Sequence, residues 1–191
     1  MQESAIRYFV GFMVTVLLLI ILIILLFHSN SGKTVVPVTN KPLYDYASTG
    51  ASVRMTIDGP TNADEIHTQI EITVNQYDVT YDQIQGYQDT VVNMQQFRNN
   101  VSAYSAFLRS LSIAGFSEGI NSSSLASEQG HCPLGDRYVF ELMQDGSDIQ
   151  RYWTTNCSNV NHTYLGNSVL TLDLFEAQVP KYSLLVQNLD I

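Results

Sequence analysis

Twenty consecutive residues, Tyr8 to Phe27, carry no charged side chain. At about 1.5 Å of rise per helical residue, such a run spans roughly 30 Å, the thickness of a bilayer's hydrocarbon core. No polar face interrupts it, as one would in a helix lying on a globular core. A cleaved signal peptide has a shorter apolar region, usually about 7–15 residues; cleavage after Ser31 is the competing reading. The run predicts a transmembrane signal-anchor over 8–27, in contact with the lipid bilayer, behind a short cytoplasmic tail of residues 1–7. Flanking charge is nearly balanced, with Arg7 on one side and Lys33 and Lys41 on the other. The short tail and a pair of cysteines tip the expectation toward a single-pass membrane protein with its C-terminal domain outside the cytoplasm.

Beyond the run the character changes. The chain has 9 basic and 18 acidic residues; setting aside Arg7, Lys33 and Glu3 leaves 7 and 17 from Lys41 onward, a balance of −10. Such a surface repels phosphates, which argues against nucleic acid as a partner and against peripheral lipid binding. Residues 28–50, with Gly32, Pro37, Pro42 and Gly50, read as an extended tether. Residues 51–191 suffice for one globular domain and are too few for two.

Val53, Met55 and Ile57 alternate with polar neighbours, the period of a half-buried strand. Asp58–Asn62 is turn-like, and Ile66, Thr68, Ile70, Ile72 and Val74 alternate again. The apolar parity then shifts to Tyr77, Val79 and Tyr81, which predicts a bulge near Asn75-Gln76. Met94, Phe97, Val101, Tyr104, Leu108 and Leu111 recur at spacings of three and four, predicting a helix from Asp89 to Ala114 with Gly115-Phe116 as its Schellman ending. The stripe is too short for a coiled coil and follows a hairpin that needs a cover. A second hairpin is expected from Arg137–Met143 and Ile149–Thr155 around Asp145-Gly146, and a second helix from Val169 to Gln178, capped by Ser168 and halted by Pro180. Residues 181–191 read as a short helix or an edge strand. The expected fold is α+β: a single N-terminal transmembrane helix, then a mainly antiparallel four-stranded sheet of two hairpins with two helices on one face.

Cys132 and Cys157 bracket the second hairpin and lie nearly opposite at its open end, which predicts a disulfide. Free thiols and a zinc site with His131 and His162 are the alternatives, the latter without the usual ligand spacing. Gly115-Phe116-Ser117-Glu118-Gly119 matches the nucleophile elbow of serine hydrolases, but it follows a helix where the chemistry needs a strand. His67 falls on a polar strand face, and the acid pairs Asp64-Glu65 and Asp145/Asp148 sit at turns. No phosphate-binding glycine loop or dinucleotide fingerprint occurs, so no cofactor and no catalytic residue are expected. Tyr77, Tyr81 and Tyr87 form a possible interaction surface. Sequons at Asn100, Asn121, Asn156 and Asn161 invite a glycoprotein reading, though about two would arise by chance in so Asn/Ser/Thr-rich a chain and Asn100 falls inside the expected helix.

The segments Arg151-Tyr152-Trp153-Thr154-Thr155-Asn156-Cys157, Leu174-Phe175-Glu176-Ala177-Gln178-Val179-Pro180-Lys181-Tyr182 and Ala103-Tyr104-Ser105-Ala106-Phe107-Leu108 resemble a pattern in uncharacterised, signal-anchored proteins of small-genome candidate-phylum bacteria. The resemblance implies a bacterial envelope location and supplies no site residues. The expectation is a non-enzymatic extracytoplasmic domain contacting an unknown envelope protein. A small-ligand or metal-binding module on the sheet's open face is the alternative, and an unrecognised envelope hydrolase is third.

Overall fold

The computed structural model describes Met13, Val16, Leu17, residues 41–189 and Ile191. The chain divides into two compact units, residues 1–37 and 38–191. Among the described residues no helix is long and apolar enough to cross a membrane, so the expected transmembrane element of the fold is not supported. Hydropathy states a preference for lipid over water and does not by itself place a helix. Of the span 8–27 only Met13, Val16 and Leu17 are described, each helical; the rest of it, the tail 1–7 and residues 28–40 lie outside the described residues.

The second unit is built on one antiparallel sheet of six strands, not four. The strands are β1 (Ser52–Asp58), β2 (Thr68–Val74), β3 (Asp78–Gln85), β4 (Thr90–Arg98), β5 (Arg137–Gln144) and β6 (Ser147–Thr155). Their spatial order is β4-β3-β2-β1-β5-β6. Helix α1 (Val101–Ile113) lies between β4 and β5, and α2 (Ser168–Glu176) and α3 (Tyr182–Val186) follow β6.

Two local corrections account for the extra strands. The parity shift after Val74 is a tight turn, not a bulge. Asn75 Oδ1 accepts the backbone N–H groups of Tyr77 and Asp78 at 2.7 and 3.0 Å, folding the chain back so that Val74 pairs with Val79. The second correction concerns residues 90–98, expected to be helical. Gly86 (φ 77°) and Asp89 (φ 53°) turn the chain, and the β-branched run Thr90-Val91-Val92 continues as a strand. Met94 and Phe97, three apart, would share a helix face; in a strand they point to opposite sides. The helix begins only at Val101, where Asn100 accepts the Ala103 N–H at 3.0 Å.

Its predicted ending is present. Phe116 N–H donates to Leu111 O and Gly115 N–H to Ser112 O, with Gly115 at φ 79°, the left-handed geometry a Schellman motif requires. At the second hairpin Asp145 and Gly146 both take positive φ, as a two-residue type I′ turn demands.

One sheet face packs against the helices. Val53, Met55, Ile70, Ile72, Val74, Tyr81 and Phe140 meet Tyr104, Phe107, Leu108, Leu111 and Phe175 in a single buried cluster. Phe107 and Phe175 join α1 to α2 edge to face at 5.2 Å. The segment 43–47, expected within the tether, contributes Leu43, Tyr46 and Ala47 to the same cluster as a 3-10 turn. Helix α2 is capped by Asn167, one residue before the expected Ser168, and residues 182–186 resolve the C-terminal ambiguity as helix. The opposite sheet face is only partly covered, by the irregular segment between α1 and β5: Trp153 Nε1 donates to Leu125 O at 2.7 Å.

Candidate functional site

The alternation that buries Val53, Met55 and Ile57 sends Arg54, Thr56 and Asp58 to the partly covered face. Register adds their neighbours: Glu71 opposite Thr56, Gln69 opposite Asp58, and Glu141 between Arg54 and Arg151. These side chains floor a cavity of about 230 Å³, walled by His67, by Tyr87 and Asp89 of the β3–β4 turn, and by Glu128 and Gln129.

Its charges form a chain. Glu141, buried, takes Arg54 at 2.6 Å and Arg151 at 3.2 Å; Arg151 also reaches Glu128 at 2.5 Å. Below them Arg137 holds Asp58 at 2.8 Å and the Gly59 carbonyl at 2.6 Å. Paired charges of this kind are structural as much as functional: each offsets its neighbour's desolvation. Glu71 is the exception, 3.7 Å from Arg54 and directly opposite Asp82. Burial pushes its carboxyl above the ordinary range; Arg54 pulls it back, and Glu141, Asp82 and Asp89 add to the rise. Burial raises Asp82 as well, and its Oδ1 has no hydrogen-bond partner.

His67 is buried with both ring nitrogens engaged, Nε2 at 3.0 Å from Asp58 and Nδ1 at 3.2 Å from Pro60 O. Each ring nitrogen thus faces an acceptor oxygen of the chain. Tyr87 stacks on it at 4.1 Å. This histidine clamps the β1–β2 connection and has no nitrogen left to act as a base. Ser117 follows the Schellman turn of α1, not a strand. The glycines of its motif serve packing: a Cβ on Gly119 would lie 2.5 Å from the Tyr152 ring.

The cysteines are joined: Cys132–Cys157, with Cα atoms 5.7 Å apart. Both sulfurs are therefore taken, and among the described residues no group of three or more His, Cys, Asp or Glu is placed to hold a metal ion. His131 lies against Trp153 and His162 bonds to Tyr164 O. The three tyrosines do not share a surface. Tyr77 is exposed at the β2–β3 turn and Tyr87 at the far end of β3, while Tyr81 lies fully inside the core, its phenol pushed up to about 12 by burial. Asn156 is occupied too, donating to Asp136 at 2.8 Å and accepting its N–H. A second cavity, about 340 Å³, lies among Ile57, Tyr138, Leu172 and Tyr182 with the Glu176 carboxyl, which burial also raises.

The feature sequence reasoning missed is β4. It is an edge strand of nine residues, almost wholly exposed, with no proline or lysine and one charge, Arg98. Natural edges are usually blunted by such residues. Asn99 N–H donates to Tyr77 O, so by alternation Phe97 and Gln95 bond inward to β3, and Met94, Gln96 and Arg98 turn their N–H and C=O groups outward. The opposite edge is treated differently: at β6, Trp153 N–H donates to Thr163 Oγ1, and its carbonyl accepts from Thr163 and Tyr164 N–H. The Gly86…Asp89 turn signal followed by Thr-Val-Val was the available clue. In comparisons with known proteins, the chain matches no family model and no curated protein.

Proposed function

We propose that the chain is a non-enzymatic protein-contact domain that works outside the cytoplasm, in a bacterial envelope, and takes up its partner by strand addition at β4. The observation that carries this reading is the open edge: among the described residues nothing pairs with the outward backbone groups of Met94, Gln96 and Arg98. The disulfide supports an oxidising location, and the resemblance to envelope proteins agrees with it. The doubly engaged His67 and the position of Ser117 in the turn after α1 support a reading without catalysis. A photo-crosslinking residue in place of exposed Met94, introduced in cells, is expected to yield a protein adduct that the same residue at Ser127 does not. No adduct at Met94 would overturn the reading.

A second reading rests on the cavity of the open face, whose polar lining suits a small hydrophilic solute. A thermal-shift screen with envelope sugars and divalent ions separates the two, because a bound solute raises the melting temperature by mass action.

A further inference from the structure

The β4 edge, unpaired among the described residues, also bears on what covers it. Resting on the strand-addition reading, we infer that the occupant is the β4 strand of a second copy of this chain, paired antiparallel about a two-fold axis at Gln96.

Three features of the strand select that partner. First, its outward-bonding residues Met94, Gln96 and Arg98 are symmetric about Gln96. The β3–β4 register slips between Gln83 and Ile84, leaving Val92 as the extra residue, so the three lie within the regular part Asn93–Arg98. Only an axis at Gln96 lets Met94, Gln96 and Arg98 of both copies bond outward together, Gln96 opposite Gln96 and Met94 opposite Arg98.

Second, the charges are complementary in that register. Arg98 lies opposite Asp78, whose carboxylate is taken by Asn75 Nδ2 at 2.6 Å and Gln96 Nε2 at 2.8 Å. Arg98 makes no ion pair within 4 Å among the described residues, and it shares a sheet face with Met94, which lies opposite Asp82. In the paired sheet, Arg98 of one copy lies across Met94 of the other, with Asp82 as the next residue in the row. Two strand spacings are about 9.6 Å, within the combined reach of an extended guanidinium and a carboxylate. Among the described residues Asp82 Oδ1 is buried and has no hydrogen-bond partner. The two arginines stay apart, four residues from one another along the strands.

Third, the pairing closes. Among the described residues the β6 edge is covered at Trp153 by residues 163 and 164, and no such cover lies on β4. A two-fold contact uses the same β4 edge of both copies, so it is self-complementary and gives a closed twelve-stranded dimer.

Oxidative crosslinking of the full-length chain in its host cells tests this. Gln96→Cys is expected to give a disulfide-linked homodimer, because residues paired across the axis have Cα atoms about 5.5 Å apart. Met94→Cys, four residues from its own copy, is expected to stay monomeric but to crosslink with co-expressed Arg98→Cys. Peptide mapping of the intact Cys132–Cys157 bond serves as the folding control. Arg98→Glu is expected to weaken the dimer about tenfold, and Arg98→Lys to retain it. A monomeric Gln96→Cys chain with its native disulfide intact overturns the homodimer. What accompanies that result separates the two failures. A crosslink from Gln96→Cys to a different protein leaves the strand-addition reading standing with another partner. Slow amide exchange at Met94, Gln96 and Arg98 in a monomer gives the edge to another part of this same chain. Fast exchange at all three, with no crosslink, removes the strand-addition reading as well.

Discussion

Glu71 shows how a single carboxylate reports on the polar face of the sheet. It is flanked by Asp82 across the strands and by Arg54 at 3.7 Å, and its net displacement is upward. An acid held above its unfolded value binds its proton better in the folded chain. The associated stability is therefore full below the unfolded carboxylate range, about pH 4, and is lost as pH rises through the folded value. Replacing the group with a neutral isostere removes that loss. Glu71→Gln is expected to raise stability at pH 7 by about 0.2–1 kcal/mol, the scale of a like-charge cross-strand pair. The gain should vanish in denaturant titrations below pH 4. A loss at neutral pH would instead make the Arg54 contact the dominant one.

The residue scale also shows the limits of pattern. The alternation of β1 told which side chains leave the core, but not that Glu141, 87 residues away, would meet Arg54. Tyr81 looked equivalent to Tyr77 and Tyr87 by type and spacing, yet the turn at Asn75 set it facing inward.

Among the elements, α1 divides into a legible end and an illegible start. Gly115 and Phe116 announced the ending because only glycine takes the left-handed angle cheaply. The start was hidden because Met94 and Phe97 lie at spacings a helix would use. What decides it is the Asn100 cap together with the pairing of residues 90–98 against β3. Asn100→Ala is expected to cost about 1 kcal/mol in urea unfolding. No change would place the start of the helix elsewhere. Strand β4 is likewise an element whose identity comes from its neighbour: alone, its sequence is consistent with either regular structure.

For the whole molecule, the disulfide ties the mouth of the second hairpin to the Arg137–Asp58 pair, since Cys132 O accepts from Arg137 Nη1. Closing a loop with a sequence separation of 25 contributes about 3.5 kcal/mol in the chain-entropy model. Cys132→Ser with Cys157→Ser is expected to lower stability on that scale in urea titrations. The intact protein should weigh two daltons less than its reduced form. Equal masses in protein taken directly from cells would remove both the bond and the argument for an oxidising location.

The sequence by itself determined what is local: strands β1, β2, β5 and β6 from their period of two, the closing turn of α1, and the cysteine pair from hairpin symmetry. Side-chain alternation and backbone angles are properties of adjacent residues, so they are written in adjacent letters. Tertiary structure alone decided the six-stranded order, the charged row from Arg54 through Glu141 to Arg151, and which edge stays open. Those depend on which distant segments take up hydrogen bonds, and residues 163 and 164 supply them to β6, whereas no described residue supplies them to β4.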